Sequence, residues 1–248
     1  MVGCDGGVVT VEVTAPAKRS DLGVRLASGI VMIVFAIAAL SLGGAVLVVF
    51  VTAIALGVLW EAWGLVRRIT GSMAARALWM FALALYAGGA AFGLLHAPRL
   101  ECWLAIASVV ATDTGAYFAG RTVGGPKIAP SISPSKTWAG LLGGMVASAL
   151  VLCLVIEIRA LVIGMDPDLW GREQPDFILS NIVVAVGIGA IAAILAQAGD
   201  FFESWMKRRA GVKDSGRLIP GHGGVFDRVD GLLPVACLLG LLVLGRWL

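Results

Sequence analysis

Seven long apolar stretches constrain the fold of this chain more than any other feature of its sequence. A helix that crosses a bilayer needs about 20 predominantly apolar residues, and several of these stretches are slightly shorter. The pattern predicts an all-α, polytopic helical bundle in a membrane, with about seven transmembrane helices and a range of six to nine. The stretches are residues 24–41, 43–60, 78–95, 102–120, 138–156, 178–199 and 231–247.

Composition indicates a bilayer environment for most of the chain. Of the 248 residues, 59% are hydrophobic and 14% are charged, whereas soluble domains carry about 25% charged residues. Residues 1–20 lack the continuous apolar segment of a cleavable signal, and we expect them to be a poorly ordered cytosolic leader. Residues 21–248 are predicted to form a single transmembrane domain, since the longest polar segment is too short to build its own core.

The distribution of basic residues predicts the orientation of the bundle. Cytosolic loops of membrane proteins carry an excess of Lys and Arg. With the N-terminus inside, four of the 19 basic residues fall on the outer side, namely Arg99, Arg159, Arg172 and Arg246. The two long polar segments, residues 121–137 and 200–230, then face the cytosol from the cytoplasmic (inner) membrane. The formal charge of +3 is too small to indicate a nucleic-acid partner.

The segment from Gly199 to Gly231 concentrates charges of both signs. A juxtamembrane loop needs only Lys and Arg to anchor its helix ends, so the carboxylates require another explanation. The acidic residues are Asp200, Glu203, Asp214, Asp227 and Asp230, interleaved with Lys207, Arg208, Arg209, Lys213, Arg217, His222 and Arg228.

Three of these carboxylates are predicted to converge. Asp227 and Asp230 share a helix face if the last helix begins near Phe226, while Asp200 lies at the cytosolic end of the preceding span. Carboxylates that close together repel unless a cation or a proton intervenes, and their hard oxygens suit Mg²⁺. The glycine-rich stretch 220–224 offers backbone N–H groups to an anion. The alternative is a flexible turn that closes a helical hairpin.

The residues from Ser204 to Asp230 form a specific motif. They match S-x-M-K-R, four residues, K-D-x-G, then I-P-x-H-G-G-x-x-D-R-x-D. On this motif the chain resembles the phosphatidate cytidylyltransferases, also called CDP-diacylglycerol synthases. A second stretch, Asp113 to Gly144, is similar to the same family's D-[ST]-x-A-Y-x-x-G-[KR] followed by S-P-x-K-T. Ala139 departs from the family pattern, which often has Glu or Gln at that position.

The resemblance implies that residues 21–248 are a catalytic domain in which CTP and phosphatidic acid give CDP-diacylglycerol and pyrophosphate for phospholipid biosynthesis. It implies Mg²⁺ as cofactor, with a second cation left open. The expected partners are the two substrates and the lipid bilayer, with no nucleic acid and with a homodimer left open. Asp200, Asp227 and Asp230 are the expected metal ligands and catalytic groups, together with Lys213 and Asp214. The expected substrate-binding residues are Asp113, Ser133, Lys136, Thr137, Ser204, Lys207, Arg208, His222, Gly223, Gly224 and Arg228.

Other functions and residue roles stay open at this point. A CTP-dependent lipid kinase or a prenyl-lipid cytidylyltransferase would share the cytosolic site but use a different lipid acceptor. A membrane transporter would also have glycine-rich helices and intramembrane charges, although it leaves the clustered motif unexplained. Lys136 fits either a phosphate contact or a helix anchor, and Asp113 either a substrate contact or a buried structural hydrogen bond. Glu61 fits either an anchor or a second acid behind the site.

Overall fold

Long helices make up most of the chain. A computed structural model describes residues 22–164 and 175–247, so the predicted leader, residues 1–20, lies outside the described residues. The long helices are α1 (Leu22–Leu42), α2 (Gly44–Ile69), α3 (Met73–His96), α4 (Arg99–Thr122), α5 (Trp138–Gly164) and α6 (Pro175–Arg209). Two strands, β1 (Lys127–Ala129) and β2 (Ser133–Thr137), lie between α4 and α5, and two short helices, α7 (Phe226–Val229) and α8 (Leu232–Gly245), follow α6.

The six long helices are each long and apolar enough to cross a bilayer. They confirm the predicted polytopic helical membrane protein. The predicted seventh span corresponds to α8, whose 14 residues are too few for a full crossing. Asp230 and Gly231 keep right-handed helical backbone angles between α7 and α8. The stretch from Phe226 to Gly245 is therefore nearly continuous and about 30 Å long at 1.5 Å per residue.

The small β-hairpin is the exception to the all-α prediction. β1 and β2 pair antiparallel, with Lys127 opposite Thr137 and Ala129 opposite Ser133. Pro134 is tolerated within β2 because a two-stranded sheet leaves one edge of each strand without a partner. The hairpin forms part of the predicted polar segment 121–137 and leads directly into α5.

Small residues allow the helices on either side of this hairpin to touch. A Cβ atom at Gly115 of α4 would lie 2.5 Å from the carbonyl oxygen of Gly143 in α5, so no side chain fits between the two backbones. Close approach through small residues is the usual way in which membrane helices pack, since burial from lipid supplies no hydrophobic driving force. The α4–α5 pair therefore holds the hairpin at a fixed place beside the bundle.

A buried apolar cluster ties α2, α3, α6, α7 and α8 together beneath the second polar segment. Its largest side chains include Phe226, which is 1% exposed, and Met206, which is fully buried. Because α7 supplies Phe226, this cluster fixes the start of the last helical stretch against the core. The other members are Val58, Ala62, Leu65, Val66, Leu83, Ala90, Leu233 and Ala236.

Candidate functional site

Helix α6 carries the first part of the predicted site. The sequence predicts that Asp200 ends a span and that a loop follows it, but this predicted boundary is wrong. The helix continues to Arg209, so Asp200 lies nine residues, or about 14 Å, before its end. The helix persists because Met206 and Glu203 are fully buried and because Glu203 and Lys207, four residues apart, pair with each other along it.

Lys207 joins two carboxylates at the centre of the site. Its Nζ atom lies 2.5 Å from Oε2 of Glu203 and 2.7 Å from Oδ1 of Asp227. The Glu203 side chain is 0% exposed and that of Asp227 is 8% exposed. Buried carboxylates need compensating charge, and the ammonium group of Lys207 supplies it to both. The lysine thereby links the end of α6 to α7.

Asp227 is also held by the polypeptide around it. Its Oδ2 atom accepts hydrogen bonds from the backbone N–H of Ser215, the Ser215 hydroxyl and the backbone N–H of Gly224, each at 2.9 Å. Burial would raise the pKa of Asp227, but hydrogen bonds involving Glu203, Lys207 and Gly224 outweigh it and hold that pKa well below its usual range. Asp227 is thus a fixed anion at neutral pH.

The β-hairpin contributes a second ion pair to the same region. Lys136 of β2 donates a hydrogen bond to Oδ2 of Asp200 on α6, and their side chains are 22% and 17% exposed. Nearby, Nε of Arg208 lies 3.4 Å from the carbonyl oxygen of Ile132. The structure therefore brings together the two polar segments that the sequence analysis placed on one side of the membrane.

Asp230 is close enough to Lys136 and Lys207 to interact with the charges of both. Burial raises its pKa to about 6, although the Gly231 N–H and the charges of Lys207 and Lys136 act in the opposite direction. Burial lowers the pKa of Lys136, and the negative charges of Asp113 and Asp230 partly offset this effect. A Cβ at Gly231 would lie 3.2 Å from Oδ1 of Asp200, so Asp200 is adjacent to the residue that follows Asp230.

The carboxylate oxygens of the site are chemically suited to Mg²⁺, although Asp200 and Asp227 are paired with lysines. Hard carboxylate oxygens of Asp200, Asp227 and Asp230 are suitable ligands. Within residues 22–164 and 175–247, no three acidic, His or Cys side chains lie close enough together to hold a metal ion by themselves. The ammonium groups of Lys136 and Lys207 instead lie against Asp200 and Asp227. A cation would have to share these carboxylates with them, together with substrate oxygens and water.

The glycine-rich stretch before α7 forms a tight turn. The backbone of Ile219 pairs with that of Gly223, and Gly221 and Gly223 have φ values of 76° and 84°, which favour glycine. Nδ1 of His222 lies 2.7 Å from the hydroxyl of Ser28 on α1. Arg228 donates two hydrogen bonds, of 2.6 and 3.1 Å, to the carbonyl oxygen of His222. The turn is therefore tied to α1 on one side and to α7 on the other.

The remaining predicted residues lie around this centre in different settings. Lys213 and Asp214 are exposed on the loop between α6 and α7, and a Cβ at Gly223 would lie 3.6 Å from Cβ of Asp214. Ser133 begins β2, and Ser204 is half-buried on α6. Thr137 is 2% exposed, and its hydroxyl accepts a hydrogen bond from the N–H of Gly140 at the start of α5. The substrate roles of these residues stay predictions.

Glu61 of α2 is an acidic residue whose role the sequence analysis left open. Its side chain is 3% exposed and accepts hydrogen bonds from Ser215, which also binds Asp227, and from Val225 and Phe226, which immediately precede Asp227 in the chain. A carboxylate in a helix of mean hydropathy 2.3 is the sequence signal that marks it. The sequence contains no signal for the partner segment, which lies more than 150 residues away.

Comparisons with known proteins establish what the chain is similar to. A model of the cytidylyltransferase family matches residues 85–244. The chain is 47% identical over 135 residues to the phosphatidate cytidylyltransferase of Brucella suis biovar 1 (strain 1330), covering 54% of this chain and 43% of the relative. The identity is 41% over 124 residues for the phosphatidate cytidylyltransferase of Haemophilus influenzae, covering 50% and 38%. It is 39% over 131 residues for that of Rickettsia bellii, covering 53% and 52%.

These matches concern a substantial part of the molecule. The chain spans about half the length of these curated relatives, or less. The family match, residues 85–244, extends from within α3 to α8 and contains both polar segments with their ion pairs. It covers well over half of the 248 residues. This chain therefore belongs to the cytidylyltransferase family.

Proposed function

We propose that this protein transfers the cytidylyl group of CTP to phosphatidic acid and releases CDP-diacylglycerol and pyrophosphate. The curated relatives carry the name phosphatidate cytidylyltransferase. The structural observation that supports the same reaction here is the position of Arg228. Arg228, which follows Asp227 in α7, lines an apolar cavity that opens among the membrane helices.

The cavity has the character expected of a site for lipid chains. It has a volume of about 570 Å³ and is lined by residues of α1, α2, α3, α4, α7 and α8 and of the loop before α7. Among its described lining residues, Arg228 is the one charged side chain, and the rest are apolar. An acyl chain would occupy the apolar part, while the phosphate of the lipid would lie near Arg228. A soluble phosphorylated acceptor has no apolar chains that could occupy this cavity.

The reaction requires positioning and charge neutralisation more than proton transfer. A phosphate oxygen of phosphatidic acid, already ionised at neutral pH, attacks the α-phosphorus of CTP. The new phosphorus–oxygen bond forms as the bond between the α-phosphorus and its bridging oxygen to the β-phosphate breaks, and pyrophosphate leaves. Lys136, Lys207 and Arg228 hold positive charge beside the phosphate groups, which lowers the repulsion between two anions.

Asp200, Asp227 and Asp230 are the residues proposed to hold Mg²⁺. When bound, the ion would neutralise charge on the phosphate oxygens. The contribution of the chain is to keep Asp227 ionised, through Lys207, Ser215 and Gly224.

The site is proposed to face the cytosol from the inner membrane, where CTP is present. The excess of basic residues on this side supports that orientation. A Lys213→Cys variant tests it, with Cys4, Cys102, Cys153 and Cys237 replaced by Ser so that no other thiol reacts. In spheroplasts, a membrane-impermeant thiol reagent should fail to label this cysteine until the membrane is opened. Labelling of intact spheroplasts would place the site on the opposite side.

The activity test uses the purified full chain in detergent with CTP labelled at the α-phosphate. Phosphatidic acid should give labelled CDP-diacylglycerol and one equivalent of pyrophosphate, only when Mg²⁺ is present. We expect Asp227→Asn to lower turnover at least about 100-fold, since loss of a metal ligand removes several kcal/mol of charge stabilisation. The matched control is Glu101→Gln, because Glu101 pairs with Arg246 away from the site.

The acceptor panel separates the proposal from its alternatives. It contains phosphatidic acid, a polyprenyl phosphate and diacylglycerol. Conversion of the polyprenyl phosphate alone would indicate a prenyl-lipid cytidylyltransferase, and phosphorylation of diacylglycerol with release of CDP would indicate a lipid kinase. If phosphatidic acid and CTP remain unconverted and Asp227→Asn behaves like the parent, the proposed function is wrong.

A further inference from the structure

Glu61 is a buried carboxylate that the proposed reaction does not use. It lies in α2, which precedes the residues that match the family model. Oε2 accepts hydrogen bonds of 2.9 Å from the Ser215 hydroxyl and from the N–H of Phe226, and Oε1 accepts one of 3.1 Å from the N–H of Val225. An acidic side chain 3% exposed in an apolar helix is costly unless such donors surround it.

The surrounding chain is shaped to receive this carboxylate. A Cβ atom at Gly216 would overlap the Glu61 side chain, coming 2.5 Å from its Cδ atom, and a Cβ at Gly224 would come 2.7 Å from the same atom. Gly216 follows Ser215, and Gly224 itself donates to Asp227, so both glycines lie beside groups that bind Asp227. The loop before α7 is thus folded around Glu61 from two sides.

The contacts of Glu61 continue directly to Asp227. The Ser215 hydroxyl lies 2.9 Å from Oε2 of Glu61 and also 2.9 Å from Oδ2 of Asp227. Since a hydroxyl donates only one proton, it serves one of the two carboxylates at a time. The Val225 and Phe226 N–H groups that bind Glu61 come immediately before Asp227, and α7 itself makes no side-chain cap of its own. Glu61 therefore supplies from another helix the acceptor that the start of α7 lacks.

We propose that Glu61 is a positioning residue, which fixes the backbone of residues 215–227 so that Asp227 is presented to a divalent cation. This inference rests on the proposed function, in which Asp227 is a metal ligand. Residues that orient a metal ligand through hydrogen bonds typically change metal affinity or activity about 10–100-fold when they are replaced. The effect is expected mainly on cation binding, because Glu61 itself is not among the described residues that line the apolar cavity.

The test compares Glu61→Ala, Glu61→Gln and Ser215→Ala with the parent and with Glu101→Gln. The first readout is hydrogen exchange of the backbone amides in residues 215–227, measured without Mg²⁺ or nucleotide. We expect faster exchange in Glu61→Ala than in Glu61→Gln, since glutamine keeps one acceptor oxygen, and no change in Glu101→Gln. Unchanged exchange in both Glu61 variants would overturn the inference.

The second readout is the Mg²⁺ dependence of turnover. The half-saturating Mg²⁺ concentration should rise about 10–100-fold in the Glu61 variants, while the KM for phosphatidic acid stays within about twofold of the parent. A fall in kcat with an unchanged Mg²⁺ requirement would overturn the inference. If Glu61→Ala does not fold, Glu61→Gln decides, because it keeps the size of the side chain and one acceptor oxygen. A parent that converts no CTP would refute the proposed function, and the exchange data would still decide whether Glu61 orders the loop.

Discussion

Removing the ammonium group of Lys207 should destabilise the protein through Glu203. Glu203 is fully buried on α6, and within the described residues its Oε1 atom has no hydrogen-bond partner, so Lys207 is its main source of compensation. Lys207→Met keeps the length of the side chain but leaves the buried Glu203 carboxyl group without its polar partner. A buried polar group left without a hydrogen-bond partner costs about 1–3 kcal/mol. Asp227 is less affected because Ser215 and Gly224 still donate to it.

The measurement is the thermal midpoint of the detergent-solubilised protein. For a chain of this size each kcal/mol shifts the midpoint by about 2–4 °C, so Lys207→Met should lower it by about 2–12 °C. The double variant Glu203→Met, Lys207→Met removes both charges and should return to within about 5 °C of the parent, since replacing a buried pair by apolar side chains is often neutral. A double variant no more stable than Lys207→Met would refute the reasoning.

Three further predictions concern packing, capping and a surface pair. Gly199→Ala should cost about 1–3 kcal/mol and also lower activity, because its Cβ would meet the carbonyl oxygen of Asp230; the thermal midpoint and turnover check it. Thr137→Ala should cost about 1 kcal/mol through loss of the cap of α5, while Thr137→Ser keeps it. A Thr137→Ser variant as unstable as Thr137→Ala would contradict this capping role. Arg246→Ala should change the midpoint by less than about 3 °C, because its pair with Glu101 is exposed.

The transmembrane helices were predictable because their signal is local. Apolar runs of bilayer length are enough to place α1 and α2 without any knowledge of packing. The turn between the two helices lies at Gly43, where φ is 66°. The end of α6 was not placed correctly, because charged residues were taken to mark the membrane boundary. The spacing of Glu203 and Lys207 was the available signal, since a pair four residues apart is stabilised within a helix.

The residues of the site were easier to predict than the ion pairs that they form. The motif singled out Asp200 and Asp227, but sequence spacing could not indicate that Lys136 would pair with one and Lys207 with the other. Such pairings depend on how α4, α5 and α6 pack, which is decided by contacts between residues far apart in the chain. The role of Glu61 is the clearest example, because all three donors that it binds come from a loop more than 150 residues away.

The contact between Gly115 and Gly143 has a mechanical consequence. The backbones of α4 and α5 touch at these glycines, so we expect the two helices to move as one unit. Neither can slide or rotate against the other unless the contact is first broken. The β-hairpin that carries Lys136 lies between these two helices in the chain, so we expect the polar end of the site to move least. Helix α1, by contrast, packs chiefly against α2 and lines the apolar cavity. If the proposed lipid substrate enters between the helices, the movement that this requires is expected at α1 and not at the α4–α5 pair.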